Sequence, residues 1–293
     1  VTIVVARRSE SGRVRVIADL RVTDCNEIRS GFPIGVLKNV ICSRDVVVAF
    51  SGDVAAATYT LRQLPRPLVA AADLVPVLAE SSAAHGGRLG VEYLVAATDE
   101  GIWRVRAGAV EEGLRAAWIG DKEAFTVYQR GYLERPVPPV LHAPGVSPAG
   151  PLPVSAEELE ESIRMANGVL ELTEYPVPSV GEAFVTASST RDGLRYEQQA
   201  FLAADHEQVI TPEQGWVNAD WGTVANGGFG FSLLVPDEPG VGLYFPHPAL
   251  GLLYHPLAHG EPFVYRGVTD AEFRASVLGD HGVSVSGPVL GRG

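Results

Sequence analysis

The stretch VLKNVICSRDVVVAFSGDVAAA, residues 36–57, decides the fold class. Val36 to Cys42 reads as a strand, Ser43-Arg44-Asp45 as a turn, and Val46 to Ser51 as a second strand. That second strand is apolar on both faces, as expected when it is covered from both sides. Gly52-Asp53 ends it and supplies a helix cap; the spacing of Val54, Ala57, Leu61 and Leu64 then predicts a helix stopped by Pro65 and Pro67. A second helical stretch runs to about Ala84, with Pro76 as a kink or break. Toward the N-terminus, residues 2–7 are rich in β-branched side chains, Ser9-Glu10-Ser11-Gly12 is a turn, and Val14, Val16 and Ala18 alternate with Arg13, Arg15 and Ile17. This predicts a first hairpin.

Downstream, strands are predicted at 91–98, 102–107 and roughly 115–119, after which Gly120-Asp121 opens a helix with Asp121 as N-cap. Residues 135–153 hold seven prolines and read as a surface loop or linker. Ser155 with Glu158 forms a capping box for a helix running to about Leu172, and Phe184–Ser188 pairs with Leu194–Ala204 across a turn at 190–193. Beyond about 206 the chain reads as irregular, with short strands near 230–235 and 241–245 and a helix near 269–278. The order ββ, ββ, αα, βββ, α, α, ββ predicts an α+β fold of two antiparallel sheets packed face to face with helices outside.

With 293 residues, 46% of them apolar and 20% charged, the chain can build a full core, which excludes disorder and coiled coil. A formal charge of -12 argues against nucleic acid as a partner. The uncharged stretches 137–156 and 239–260 approach spanning length, but prolines and histidines interrupt them, so no membrane partner is expected. Two cysteines, Cys25 and Cys42, and a beginning unlike a signal peptide suggest a reduced, cytoplasmic protein. Met165 is the one methionine, so Val1 is open to three readings: it follows a removed Met, represents a GTG start, or begins a trimmed chain.

Four segments, TIVVARR at 2–8, VIADLRVTD at 16–24, residues 36–57, and AWIGDKEAF at 117–125, resemble in this order the proteasome β-type branch of the N-terminal nucleophile hydrolases, which includes related bacterial peptidases. The resemblance covers roughly 1–205 and implies a four-layer αββα sandwich there, leaving 206–293 as an irregular C-terminal extension of unknown role, open to packing on the same domain. It implies a threonine-type amide hydrolase, most directly a threonine protease acting on peptides. A homo-oligomer is implied as well, with an ATP-dependent unfoldase left open as a partner and no cofactor or metal. A catalytically silent ring-forming relative and a small-molecule amidase or acylase are the alternatives.

In that family a threonine at the mature N-terminus attacks the carbonyl and its own α-amine is the base, so no histidine is needed. Here Thr2 is the residue in question: a nucleophile if Val1 is removed, otherwise a β-branched residue of the first strand. The resemblance gives Asp19 the task of orienting a lysine and the N-terminal residue, and gives Arg21 a place on the substrate channel. The lysine is Lys38 or, if the strands align without a gap, its position falls to Leu37. Lys38 and Lys122 are the two lysines among 23 basic residues, and a compact ammonium can lower the pKa of a nearby hydroxyl where a guanidinium would not fit. Gly52 matches the backbone N–H that holds the oxyanion. Asp121 stands where the family often has a serine, Ser179 matches a supporting serine, and Glu174 is a loose candidate for the acidic residue before it.

Other constellations are weaker. His247, His255 and His259 invite a metal, but Pro256 discourages a helix carrying two of them, and a loop packed with Tyr244, Phe245 and Tyr254 is expected instead. No G-x-S-x-G occurs, and Gly227-Gly228-Phe229-Gly230 lacks the lysine of a phosphate loop.

Overall fold

The computed structural model describes residues 2–20, 35–64, 70–86, 90–137, 156–177, 179–181, 184–197, 200–203, 206–211, 215–220, 228–236, 238–246, 249–255 and 260–287. The chain has an α+β fold. In order it forms β1 (Ile3–Arg8), β2 (Val14–Asp19), β3 (Asn39–Ile41), β4 (Val46–Ser51), α1 (Val54–Gln63), α2 (Ala71–Ala84), β5 (Glu92–Ala97), β6 (Gly101–Arg106), β7 (Ala109–Leu114), β8 (Ala116–Gly120), α3 (Lys122–Glu134) and α4 (Ala156–Glu174). There follow β9 (Phe184–Thr190), β10 (Gly193–Tyr196), β11 (Ala200–Ala203), β12 (His206–Thr211), β13 (Gly215–Asp220), β14 (Gly228–Leu234), β15 (Val241–Phe245), β16 (Leu250–Tyr254), β17 (Pro262–Arg266) and α5 (Asp270–His281). The strands pair as a first sheet β10-β9-β2-β1-β8, a second β3-β4-β5-β6-β7, a third β11-β14-β15-β16-β17 and a ribbon β12-β13.

Alternation along the strands decides what meets what. Val4, Ala6, Val16 and Ala18 of the first sheet share one buried cluster with Val47, Ala49, Leu94 and Ala96 of the second. The other face of the second sheet, with Val48, Phe50, Tyr93 and Val95, packs on Leu61 of α1 and on Leu74 and Leu78 of α2. Ile3, Val5 and Ile17 of the first sheet meet Tyr128 of α3 and Met165 and Leu172 of α4. Pro76 lies inside α2 without ending it, because Pro76 and Ala72, whose carbonyl it cannot serve, both face solvent while Leu74 and Leu78 anchor the helix.

Three sequence expectations are corrected. The strand expected from Val36 narrows to Asn39–Ile41, since Gly35, Val36 and Leu37 bond Tyr254, Leu20 and Gly260, outside the second sheet. The strand expected over Leu194–Ala204 ends at Tyr196, and Ala200–Ala203 pairs with β14 in the third sheet. Beyond 206 the strands expected near 230–235 and 241–245 and the helix near 269–278 are present as β14, β15 and α5, but the described residues there form an ordered sheet and not an irregular extension. In β15 and β16 every residue is buried, so neither strand shows the polar alternation by which a half-exposed strand is recognised. One face of these strands, Val241, Leu243, Phe245, Leu250, Leu252 and Tyr254, joins the cluster shared by the first two sheets. The other face, with Tyr244 and Leu253, packs on Phe273 and Val277 of α5. At roughly 1.5–3 kcal/mol for each large apolar side chain fully buried, this shared core is the main attachment of the third sheet. Thr269 and Glu272 close a capping box at the start of α5, and Gly282 ends it with φ 68°. Ser155 and Cys25 lie outside the described residues, within which no helix is long and apolar enough to cross a membrane.

Candidate active site

Asp19 ends β2 with 0% exposure, and Thr2 precedes β1 with 1%. The hairpin pairs Val4 with Ala18, so one step further along Asp19 falls opposite Ile3 and beside Thr2. Oδ1 of Asp19 accepts the Thr2 hydroxyl and the N–H of Ile3 at 2.9 Å. Oδ2 accepts Nζ of Lys38 at 3.1 Å and the N–H of Gly181 at 3.2 Å. Nζ of Lys38 also donates to Oγ1 of Thr2, and Lys38 is itself 2% exposed. A carboxylate and an ammonium this deeply buried are tolerable only when paired with each other and otherwise hydrogen-bonded, as they are here. The alternative raised by the sequence is decided by geometry: Leu37 turns its side chain into the core between the sheets, and Lys38 reaches Thr2 and Asp19.

The main chain of Thr2 is fixed from β8. The N–H of Asp121 donates to the Thr2 carbonyl at 2.7 Å. Gly120 has φ +99°, and a Cβ there would lie 1.9 Å from that carbonyl oxygen, so the close approach requires glycine. Oδ1 of Asp121 caps α3 through the N–H groups of Glu123 (2.8 Å) and Ala124 (3.0 Å), while Oδ2 accepts the Ser179 hydroxyl at 2.5 Å. The short segment 179–181 therefore touches both carboxylates, through Ser179 on Asp121 and Gly181 on Asp19.

Gly52 has its own steric reason to be glycine, with φ +96° and a Cβ position 1.8 Å from the Gly90 carbonyl oxygen. It lies two residues beyond Phe50, whose N–H donates to the Lys38 carbonyl at 2.9 Å. Arg21 lies outside the described residues. Glu174 is not with the cluster in function: it pairs with Arg135 across α3 and α4, about half exposed. His255 bonds Glu238 at 2.5 Å, His247 and His259 lie outside the described residues, and no metal-holding group of His, Cys, Asp or Glu occurs among the described residues. Cys42 forms no disulfide.

Sequence reasoning missed Glu92 and Asn39. Oε2 of Glu92 accepts the Gly120 N–H at 3.1 Å, tying the second sheet to the first beside Thr2, and Arg106 forms an ion pair with the same carboxylate. A glutamate opening a strand gives no signal of this. Asn39 is fully buried and donates to the carbonyls of Val16 (3.0 Å) and Val185 (2.8 Å). An asparagine between a lysine and a run of apolar residues was a readable sign of such a clamp. The free edge of β3 is satisfied by Tyr196, whose hydroxyl accepts from Ile41 N–H at 3.1 Å and donates to the Asn39 carbonyl at 3.0 Å; burial pushes its phenol well above the usual range.

Chemically, the cluster presents a hydroxyl held between a cation and a carboxylate, next to a backbone fixed by a glycine contact. The sequence matches no known protein-family model, and no curated protein shows significant similarity to it.

Proposed function

We propose that this chain is an N-terminal threonine hydrolase of the proteasome-like type, cleaving amide bonds and most directly those of peptides, on a four-layer αββα sandwich. The observation that carries the reading is the Thr2 hydroxyl in contact with both Lys38 and Asp19. With Val1 removed, the Thr2 amine, of pKa about 8, becomes the base. Oγ1 bonds to the substrate carbonyl carbon while its proton passes to the amine. The Lys38 cation favours the developing alkoxide, Asp19 holds Lys38, and the Gly52 N–H receives the oxyanion. The proton then goes to the leaving nitrogen as the C–N bond breaks, and water cleaves the resulting ester by the same route. In this reading Asp121, hydrogen-bonded to Ser179 and to the Thr2 carbonyl, supports the amine. A cytoplasmic homo-oligomer working with or without an unfoldase belongs to the same reading.

The 1% exposure of Thr2 favours a second reading, a catalytically silent relative in which the cluster is structural. The two part on one experiment. Protein prepared with Thr2 as its first residue should take up one equivalent of a threonine-directed β-lactone by intact mass and turn over a peptide library. Thr2→Ala should lose both, the rate falling by at least roughly 10³-fold. Absence of adduct and turnover in the Thr2-terminated protein would leave the silent reading, and turnover of acylated amines in place of peptides would move the substrate class to small amides.

A further inference from the structure

Lys38 lies just outside a strand, one residue before β3, and the question is what holds it. Among the described residues, four hydrogen bonds hold the backbone of 35–38. The N–H of Val36 donates to the Leu20 carbonyl at 2.9 Å, next to Asp19, and Phe50 N–H donates to the Lys38 carbonyl at 2.9 Å. The other two come from the far end of the chain: Leu37 N–H donates to the Gly260 carbonyl at 2.8 Å, and the Tyr254 hydroxyl donates to the Gly35 carbonyl at 2.9 Å. Both glycines are sterically required. A Cβ on Gly35 would lie 2.2 Å from the Leu20 carbonyl oxygen, and one on Gly260, at φ +96°, would lie 2.8 Å from the Leu37 carbonyl oxygen. Leu37 is buried in the same cluster as Leu252 and Tyr254. The segment is thus pressed between the end of β2 on one side and the third sheet on the other, backbone against backbone.

We infer that the third sheet is a clamp that positions Lys38 against Thr2 and Asp19, with Tyr254 and Gly260 as positioning residues. The inference rests on the proposed function for its catalytic meaning, but not for its geometry. An ammonium on a flexible four-carbon stem is placed only as well as its Cα is placed, and a site of this kind is sensitive to displacements of about 1 Å. The Tyr254 hydroxyl is fully buried, so its bond to Gly35 is not exchangeable for one to water. The segment beyond 206, outside the reach of the family resemblance, thereby becomes part of the site's scaffold.

Tyr254→Phe removes the hydroxyl and keeps the ring. Because the chain has two lysines, ¹³C labelling of lysine gives one Cε signal for Lys38 and one for Lys122 at the start of α3. In the full-length Tyr254→Phe protein the Lys38 signal should shift and change its titration midpoint while that of Lys122 stays; in Thr2-terminated enzyme kcat should fall roughly tenfold with KM little changed. A Lys38 signal and midpoint identical to wild type overturn the clamp. An inactive wild type whose Lys38 still responds to Tyr254→Phe sinks the hydrolase reading and keeps the clamp. If the variant does not fold, hydrogen exchange of the wild type decides: the Leu37 amide should open together with the amides of β15 and β16. Opening in step with β4 and β5 instead would overturn the inference.

Discussion

Two carboxylates in this chain each gather several donors, and they do so in opposite surroundings. Asp19 is fully buried and so is its cation, Lys38. Glu171 of α4 is 6% exposed, but its partners, Arg130 of α3 and Arg135 at the C-terminal cap of that helix, each with Nε 2.6 Å from the carboxylate, keep side chains 44% and 24% exposed. In the first pair both charges have left water; in the second only the anion has. Removing two ions from water costs several kcal/mol each, which their attraction repays only with good geometry and further hydrogen bonds. The Asp19 cluster therefore holds as a unit or not at all, and as a stabiliser it is poor value beside apolar packing. The Glu171 pair, with guanidiniums still partly hydrated, fastens two helices that already approach closely at Gly131, where a Cβ would meet the Asn167 carbonyl oxygen at 2.5 Å.

The largest effect expected follows from breaking the dry pair. Lys38→Met leaves Asp19 buried among neutral donors and should lower the unfolding free energy by about 3–5 kcal/mol, measured by urea denaturation. The double variant with Asp19→Asn should recover a good part of that loss, because no uncompensated charge remains. A single-variant loss under about 1 kcal/mol would mean that Asp19 does not depend on Lys38, and the contrast between the two clusters would collapse.

Which parts of this arrangement were legible in the sequence follows the same division between local and non-local causes. The β4–Gly52–Asp53–α1 succession and the Asp121 cap of α3 are set by neighbours in sequence, and both were readable there. Asp19 was placed beside the N-terminal threonine by family resemblance, and the hairpin closed through residues 9–13 brings the two together through a register that is local to it. Whether Leu37 or Lys38 faces Thr2 was not readable, since a one-residue slip exchanges the faces and the bonds that prevent it come from Gly260 and Tyr254, more than 200 residues away. Of the third sheet, β14 and β15 were legible as short strands, whereas β16 and β17 were not: a strand such as LGLLY, buried on both faces, carries no period, and its glycine reads as loop though it is there because Phe273 sits against it, the ring 2.3 Å from a Cβ on Gly251.

A smaller effect, with a size that depends on pH, should separate the wet pair from the dry one. Burial works to raise the Glu171 carboxyl, but hydrogen bonds from Arg135 and Arg130 outweigh it and hold the carboxyl below its ordinary value of 4.5. A depressed carboxyl contributes stability above its unfolded pKa and loses it as pH falls through the lower, folded one. Glu171→Gln should therefore cost about 1 kcal/mol at pH 7 and progressively less below pH about 4.5, as the wild type loses the same contribution. A deficit that persists undiminished to pH about 2 would assign the effect of Glu171 to packing between α3 and α4, and not to its charge.

The smallest effect should come from a pair in which neither partner has left water. Arg104 of β6 stands directly opposite Glu111 of β7 and binds it through Nε at 2.9 Å and Nη2 at 2.7 Å to each carboxylate oxygen, a better fork than either cluster above. The hydrogen bond from Arg104 lowers the Glu111 carboxyl against the opposing effect of desolvation. Glu111 nonetheless sits on an edge strand, its side chain 51% exposed, where solvent and salt screen the interaction. Glu111→Gln should shift the thermal midpoint less than Glu171→Gln does at low salt, and not at all in roughly 1 M salt. If it matches Glu171→Gln under both conditions, then the geometry of the contact, and not how much of the pair has been taken out of water, sets what a charge contributes in this fold.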